Sequence, residues 1–159
     1  MRKLFSVIAV AVMIGGVFTM PVQADQGYPY DDMQVIKTEH DFKTMWDRLE
    51  AAIGANKMGL VSRASASFGA ASRNVTIAGN AVFGVYRNDF AVRMLNASIP
   101  AGIEAPIRFY LTEGAGGMTT LSYRLPSAIF KPYGSAELDK MALELDAIFA
   151  KIAADASGS

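Results

Sequence analysis

The sequence predicts an α+β domain in which two amphipathic helices pack on one face of a single, mostly antiparallel sheet. Apolar residues recur at helical spacing from Phe42 and again from Leu138. A period-two alternation places Ile107, Phe109 and Leu111 on one side of a strand. The two helical stripes need an apolar surface to cover, and one face of a sheet supplies it. The elements are expected in the order β-α-β-β-(short α)-β-β-α.

The first 24 residues have the order of regions found in a cleaved signal peptide. A cationic Met1-Arg2-Lys3 precedes a largely apolar stretch of 17 residues from Leu4 to Met20. Val22 and Ala24 supply the small side chains that signal peptidase requires, so we predict cleavage between Ala24 and Asp25. The stretch is at the low edge of spanning length and contains adjacent glycines, which favours cleavage over a retained membrane anchor. The predicted location is therefore periplasmic or secreted.

Composition limits what the mature chain can do. Removing 24 of 159 residues leaves 135, which is enough for one domain. Arg2 and Lys3 leave with the leader, so 13 basic residues remain beside 15 acidic ones, a net charge of −2. A nearly neutral domain has no basic field for phosphates, so no nucleic-acid partner is expected. The absence of cysteine excludes thiol catalysis, thiolate zinc sites and disulfides.

The mature chain is predicted to start with an exposed lead-in over residues 25–32 and to form a single domain over residues 33–155. A short strand is expected at Met33–Thr38. A helix should follow from Phe42 to about Asn56, with Asp41 as its N-cap.

The middle of the chain is predicted to hold two more strands. The loose alternation of Leu60–Phe68 indicates a strand, and the small, polar segment Gly69–Gly79 indicates a loop. The continuous apolar run Ala81–Tyr86 is typical of a central strand, in which Gly84 indicates close approach of a neighbour.

A short helix capped by Asn88 or Asp89 should reach about Ala97. A hairpin follows, in which residues 107–112 and 118–125 pair across a glycine-rich turn. Pro126 and Pro132 are expected to bracket an irregular connection. The last element is a long helix capped by Ser135, whose apolar stripe is Leu138, Met141, Ala142, Leu145, Ile148, Phe149 and Ile152.

Four segments of this chain resemble the DUF302 family: Ala81-Val82-Phe83-Gly84-Val85-Tyr86, Arg93-Met94-Leu95, Ala105-Pro106-Ile107-Arg108-Phe109-Tyr110 and Leu121-Ser122-Tyr123-Arg124. Ala105-Pro106 stands where the family usually has Leu-Pro, and Val85 follows the Phe-Gly pair in place of the common Asn-Pro. The resemblance runs from about Val35 to Ile152. It implies a β-α-β(4)-α domain, often a homodimer, and carries little information on function. Many members have a histidine near the second strand, and Arg63–Phe68 contains none.

No catalytic or metal-binding constellation stands out from the residues. His40 is the only histidine, so it offers no ligand spacing, and the neighbouring Asp41 is already explained as a helix cap. The methionines that remain after cleavage lack the tight spacing of a copper site, so core packing is favoured for them. No G-x-S-x-G motif is present. We therefore expect no metal and no cofactor.

One cluster of arginine, tyrosine and acidic residues is the candidate ligand or interface face: Arg87, Asn88, Asp89, Arg93, Arg108, Tyr110, Glu113, Tyr123 and Arg124. Arg108 and Tyr110 lie on the side of their strand opposite the apolar residues, which leaves them free if the helices cover the other side. Arginine with tyrosine is typical of a contact surface or of a pocket for a small anion. The alternative is a solvated sheet face with cross-strand ion pairs, such as one between Arg108 and Glu113.

These features favour a non-catalytic, exported binding module. It is predicted to be a homodimer with a small anionic ligand or an envelope protein as partner, and to lack a membrane anchor after cleavage. The alternative from another class is a small lyase or isomerase in which Glu104 or Glu113 is the base. The sequence does not separate a peptide- or envelope-stress-related binding module from the first hypothesis.

Overall fold

The computed structural model describes residues 27–158, and within them five strands pair antiparallel in one sheet. The strands are β1 Met33–Asp41, β2 Gly59–Ala64, β3 Asn80–Tyr86, β4 Ile107–Glu113 and β5 Met118–Arg124. Their order across the sheet is β1-β5-β4-β3-β2, so β1 and β2 are the edge strands. The predicted α+β class is confirmed.

The helices of the same segment are α1 Phe42–Ala55, α2 Ala66–Ala71, α3 Asn88–Ala97, α4 Pro126–Phe130 and α5 Ala136–Ser157. Short 3-10 helices cover Ile99–Glu104 and Lys131–Tyr133. None of these helices is both long and apolar enough to cross a membrane.

The core lies between the sheet and the helices α1 and α5. Cross-strand neighbours Phe83, Phe109 and Tyr123 form one buried row on this side of the sheet, called here the helix face. Phe149 of α5 stacks on Phe109, with ring centroids 4.7 Å apart and planes 15° apart. Met45 and other fully buried residues of α1 complete the core. Both predicted amphipathic helices therefore pack on one face of the sheet.

The caps predicted for the two long helices are confirmed. Asp41 Oδ1 accepts a hydrogen bond from the Thr44 amide at 2.7 Å at the start of α1. Ser135 Oγ accepts one from the Leu138 amide at 3.4 Å at the start of α5. Each cap satisfies an amide that the first helical turn leaves without a backbone partner.

The prediction that a strand continues to Phe68 is wrong. The strand ends at Ala64, and Ser65 Oγ accepts a hydrogen bond from the Phe68 amide at 3.2 Å, which starts α2. A serine cap followed by an alanine-rich segment favours a helical turn over the weak alternation seen in the sequence. The expected loop at Gly69–Gly79 correspondingly begins inside α2.

Two other local predictions are also corrected. Neither Asn88 nor Asp89 caps α3: the N-cap is Arg87, which makes no side-chain cap bond, and Asp89 lies in the first turn. The connection after Pro126 is helical, because a proline is readily accepted in the first turn of a helix.

The predicted signal peptide and its cleavage site at Ala24 and Asp25 lie outside the described residues. Of the lead-in, Pro29 and Tyr30 are exposed as predicted, whereas Tyr28 and Asp32 are half-buried against the sheet.

Candidate functional site

The candidate site is the side of the sheet turned away from α1 and α5, called here the open face. The structure places Arg108 and Tyr110 on it, between the buried Ile107, Phe109 and Leu111. Thr112 of the same strand shares this side, and the pairing register adds residues of the other strands: Ser62, Val82, Gly84, Thr120, Ser122 and Arg124. This face is therefore rich in hydroxyl groups and has arginine on two adjacent strands.

Arg108 is exposed and stands opposite Gly84 of β3, where no side chain projects. Ser62 Oγ and the Pro106 ring lie over Gly84 instead, at 2.2 and 2.9 Å from where a Cβ would be. Pro106 follows a cis peptide bond after Ala105. Ser62 and Pro106 thus fill the space over Gly84, beside the exposed Arg108.

The guanidinium of Arg108 has no carboxylate partner among the described residues. Four of the six other arginines in residues 27–158 bond carboxylates: Arg63, Arg87, Arg93 and Arg124. The cross-strand ion pair considered for Arg108 and Glu113 is not formed. An exposed guanidinium with free N–H donors is suited to a carboxylate or phosphate, which it can bond through two oxygens.

The lead-in contributes residues to this face that sequence reasoning missed. Tyr28 and Ser122 share a hydrogen bond of 2.7 Å between their side-chain oxygens. Burial, together with the nearby Tyr28, raises the pKa of Tyr110, so this phenol stays protonated and able to donate. The two tyrosines of Tyr28-Pro29-Tyr30 were a signal for this contact, because a tyrosine has a large apolar ring that gains from burial and a hydroxyl that seeks a partner.

Arg124 is held in place by the same segment. Its Nε donates to Asp32 Oδ2 at 2.9 Å, and its guanidinium lies 4.3 Å from the centre of the Tyr30 ring. Continuing the register that pairs Phe109 with Tyr123 by one residue sets Arg124 across from Arg108. The charge of Arg124 is thus compensated within the chain, and that of Arg108 is not.

The structure removes Tyr123 from the proposed face. Tyr123 is buried on the helix face, edge-on to Phe109 at 5.1 Å between ring centroids. Burial, with a smaller effect of Asp146, raises the pKa of its hydroxyl. In a strand neighbouring side chains point to opposite sides, so Tyr123 and Arg124 cannot share a face.

Arg87, Asp89 and Arg93 form a separate group on α3. Arg87 bonds Asp89 through two nitrogens at 2.7 and 3.0 Å, and it lies over the Phe90 ring. Arg93 bonds Glu144 of α5 through two contacts of 2.8 Å. These pairs lower the pKa of Asp89 and Glu144. The group joins α3 to α5 and is not continuous with the open face.

The two glutamates considered as catalytic bases both have structural partners. Glu113 Oε2 accepts the Gly79 amide at 2.7 Å at the end of the hairpin. Glu104 Oε1 accepts the Tyr133 hydroxyl at 2.8 Å, which raises the pKa of Tyr133. Neither glutamate lines the cavities described next.

A small apolar crevice of about 30 Å³ lies between α3, α5 and the sheet, lined by buried residues such as Met94 and Met141 and bordered by Arg87. A wider, shallow groove of about 480 Å³ runs beside β1, where His40 and Arg48 face the end of α5. Arg48 donates through Nε to the Ala156 carbonyl and through Nη2 to the Asp155 carbonyl, so it is held against the end of α5. Within residues 27–158, no three His, Asp or Glu side chains group as a metal site.

The family model for DUF302, a domain of unknown function, matches residues 34–156. The chain belongs to the DUF302 family. The matched residues include the Phe83-Gly84 pair and the whole hairpin, so the open face is part of the DUF302 domain itself. No curated protein matches the chain significantly.

A solved DUF302 structure shows the same fold. It is the crystal structure of an uncharacterized conserved DUF302 protein from Bacillus stearothermophilus, with a TM-score of 0.67 and 15% sequence identity. The match covers 79% of this chain and 96% of that one. At this identity the similarity establishes the architecture only.

Proposed function

We propose that this DUF302 member is an exported, homodimeric, non-catalytic binding module whose open face takes a small anionic ligand. The observation that carries the proposal is Arg108, an exposed cation without a carboxylate partner in the described chain, on a face of hydroxyl groups. An anion there would bond the guanidinium and meet the Tyr110 hydroxyl on the same strand.

Electrostatics supports an anion in preference to a cation. Arg124 lies across from Arg108, and Asp32 compensates only one of these two charges. A bound carboxylate or phosphate would compensate the second. A guanidinium selects such groups by shape as well as by charge, since its N–H donors are parallel and coplanar.

Export is proposed from the sequence of residues 1–24, and the homodimer from the family resemblance.

The test is native mass spectrometry of mature protein purified without denaturation from its own compartment. We expect a ligand adduct on the parent and its loss from the double variant Arg108→Ala, Tyr110→Ala. The matched control is Arg73→Ala, which removes an exposed arginine from the loop after α2 and should keep the adduct. Circular dichroism should show all three proteins folded.

An adduct that persists in the double variant would contradict the proposal. If the parent carries no adduct, calorimetric titration with inorganic phosphate and with succinate replaces the mass measurement. The absence of binding heat with both probes would also contradict the proposal. A polypeptide adduct lost in the double variant would assign the same face to an envelope protein.

A further inference from the structure

The outer side of β2 is an unpaired strand edge. Gly59–Ala64 bonds β3 on one side, and within residues 27–158 no strand lies on the other. All of its residues are exposed except Leu60, which is half-buried. Its outward N–H and C=O groups therefore form a template for another strand.

The opposite edge of the sheet is protected against such pairing. β1 carries the exposed charges of Lys37, Glu39 and Asp41. Charged side chains along an edge strand are a common means of preventing strand addition. Both edge strands have an irregular register, between Lys37 and Asp41 in β1 and between Leu60 and Ser62 in β2, so charge is what distinguishes them. Only the β2 edge lacks this dense charge.

The single charge on β2 is already neutralised. Arg63 bonds Glu50 of α1 through two contacts of 2.6 and 3.1 Å, which lowers the pKa of Glu50. The bulge between Leu60 and Ser62 leaves Val61 with 55% of its surface exposed. Two such edges can therefore approach each other without opposing like charges.

An exposed aromatic side chain follows the strand directly. Phe68 of α2 is 60% exposed, yet its ring is held against Trp46 at 5.2 Å and Phe42 at 6.4 Å between centroids. A large apolar side chain that is both exposed and fixed in position is typical of a contact surface. With Val61, it adds apolar area beside the backbone edge.

We infer that the β2 edge pairs antiparallel with the β2 edge of a second copy, joining two five-stranded sheets into one of ten strands. A second copy is the occupant because an antiparallel pair of identical strands is self-complementary: residue i meets j, and j meets i. Electrically neutral edges allow this pairing. The inference rests on the homodimer in the proposed function and leaves Arg108 free in both copies.

The expected dimer dissociates on dilution. A strand of six residues with Val61 and Phe68 provides less than the roughly 800 Å² per partner of a standard interface. Sedimentation velocity over a concentration series should therefore show the parent passing from monomer to dimer.

The first experiment places a charge on the β2 edge. Val61→Lys should shift the protein to monomer at concentrations where the parent is dimeric. The matched control is Ile103→Lys, in the 3-10 helix Ile99–Glu104, where Ile103 is 83% exposed and Ile99 is 78% exposed, away from the β2 edge. We expect the control to remain a dimer.

The second experiment uses the absence of cysteine from the chain. Single-cysteine variants at positions 60–64, oxidised mildly, should form disulfide dimers most efficiently at the position nearest the twofold axis. Val35→Cys on β1 should form none above background.

The outcomes separate the two proposals. A dimer that survives Val61→Lys and gives no disulfide at positions 60–64 overturns the β2 interface while the homodimer stands. A parent that is monomeric at every concentration overturns both the interface and the homodimer, whereas the Arg108 adduct is measured independently of either.

Discussion

Gly84 shows how one missing side chain shapes the open face. A Cβ at this position would lie 2.9 Å from Pro106 Cγ and 2.2 Å from Ser62 Oγ. The serine hydroxyl can rotate away, but the proline ring cannot. The absence of a side chain here therefore lets Pro106 pack on β3 next to Arg108.

We predict that Gly84→Ala destabilises the domain by about 1–3 kcal/mol, because an added methyl group overpacks this contact. Thermal denaturation followed by circular dichroism measures the change. The matched control is Gly54→Ala in α1, where a Cβ meets nothing within 4 Å and the helix should gain up to about 1 kcal/mol. Equal effects of the two substitutions would contradict the packing explanation.

At the scale of elements, α1 depends on the side chain of the residue that precedes it. Asp41 is the last residue of β1 and the N-cap of α1, so it joins an edge strand to a core helix. The hydrogen bond from the Thr44 amide lowers the pKa of the Asp41 carboxyl. A lowered pKa in the folded state means that the ionised carboxylate stabilises the fold.

The sign of the pH dependence follows from this shift. The stabilisation by Asp41 is present above its unfolded pKa of about 4 and is lost as pH falls through the lower folded value. We predict that Asp41→Ala reduces the melting temperature at neutral pH, and that the difference from the parent narrows on acidification. Asp41→Asn keeps a hydrogen-bond acceptor that does not titrate, so its melting temperature should fall less than that of Asp41→Ala. A difference independent of pH would count against the charged cap.

At the scale of the whole molecule, the lead-in follows the predicted cleavage site in the sequence and contacts the open face. Tyr28 bonds Ser122 of β5 across 94 positions of the chain, and Asp32 bonds Arg124 across 92. Cleavage after Ala24 would make Tyr28 the fourth residue of the mature chain. Tyr28, which bonds Ser122 on the open face, would then lie three residues from the new N-terminus in the sequence.

We predict that protein recovered from the periplasm or medium has an intact mass lacking residues 1–24 and begins with Asp25. Mass spectrometry of the secreted fraction makes the measurement. Ala24→Arg places a large side chain where the peptidase needs a small one and should block processing. Recovery of the parent with residues 1–24 attached would contradict the prediction.

Much of the fold could be predicted because its signals are local. The stripes of α1 and α5 and the alternation of β4 are periodicities within single segments, and Asp41 and Ser135 act on amides three residues away. The helix α2 was missed although Ser65 caps it in the same way as Asp41 and Ser135 cap the longer helices. Only six residues follow this cap in α2, which is too few to show a helical periodicity in the sequence.

The amino-acid sequence by itself determined the α+β class, the two covering helices, the hairpin and the side of β4 that carries Arg108. Tertiary structure alone decided the strand order, the burial of Tyr123, the separation of Arg93 from Arg108 and the unpaired edge at β2. These features depend on pairing register and on contacts between distant segments. Periodicity shows which side chains share an element's face, but long-range pairing decides what that face meets.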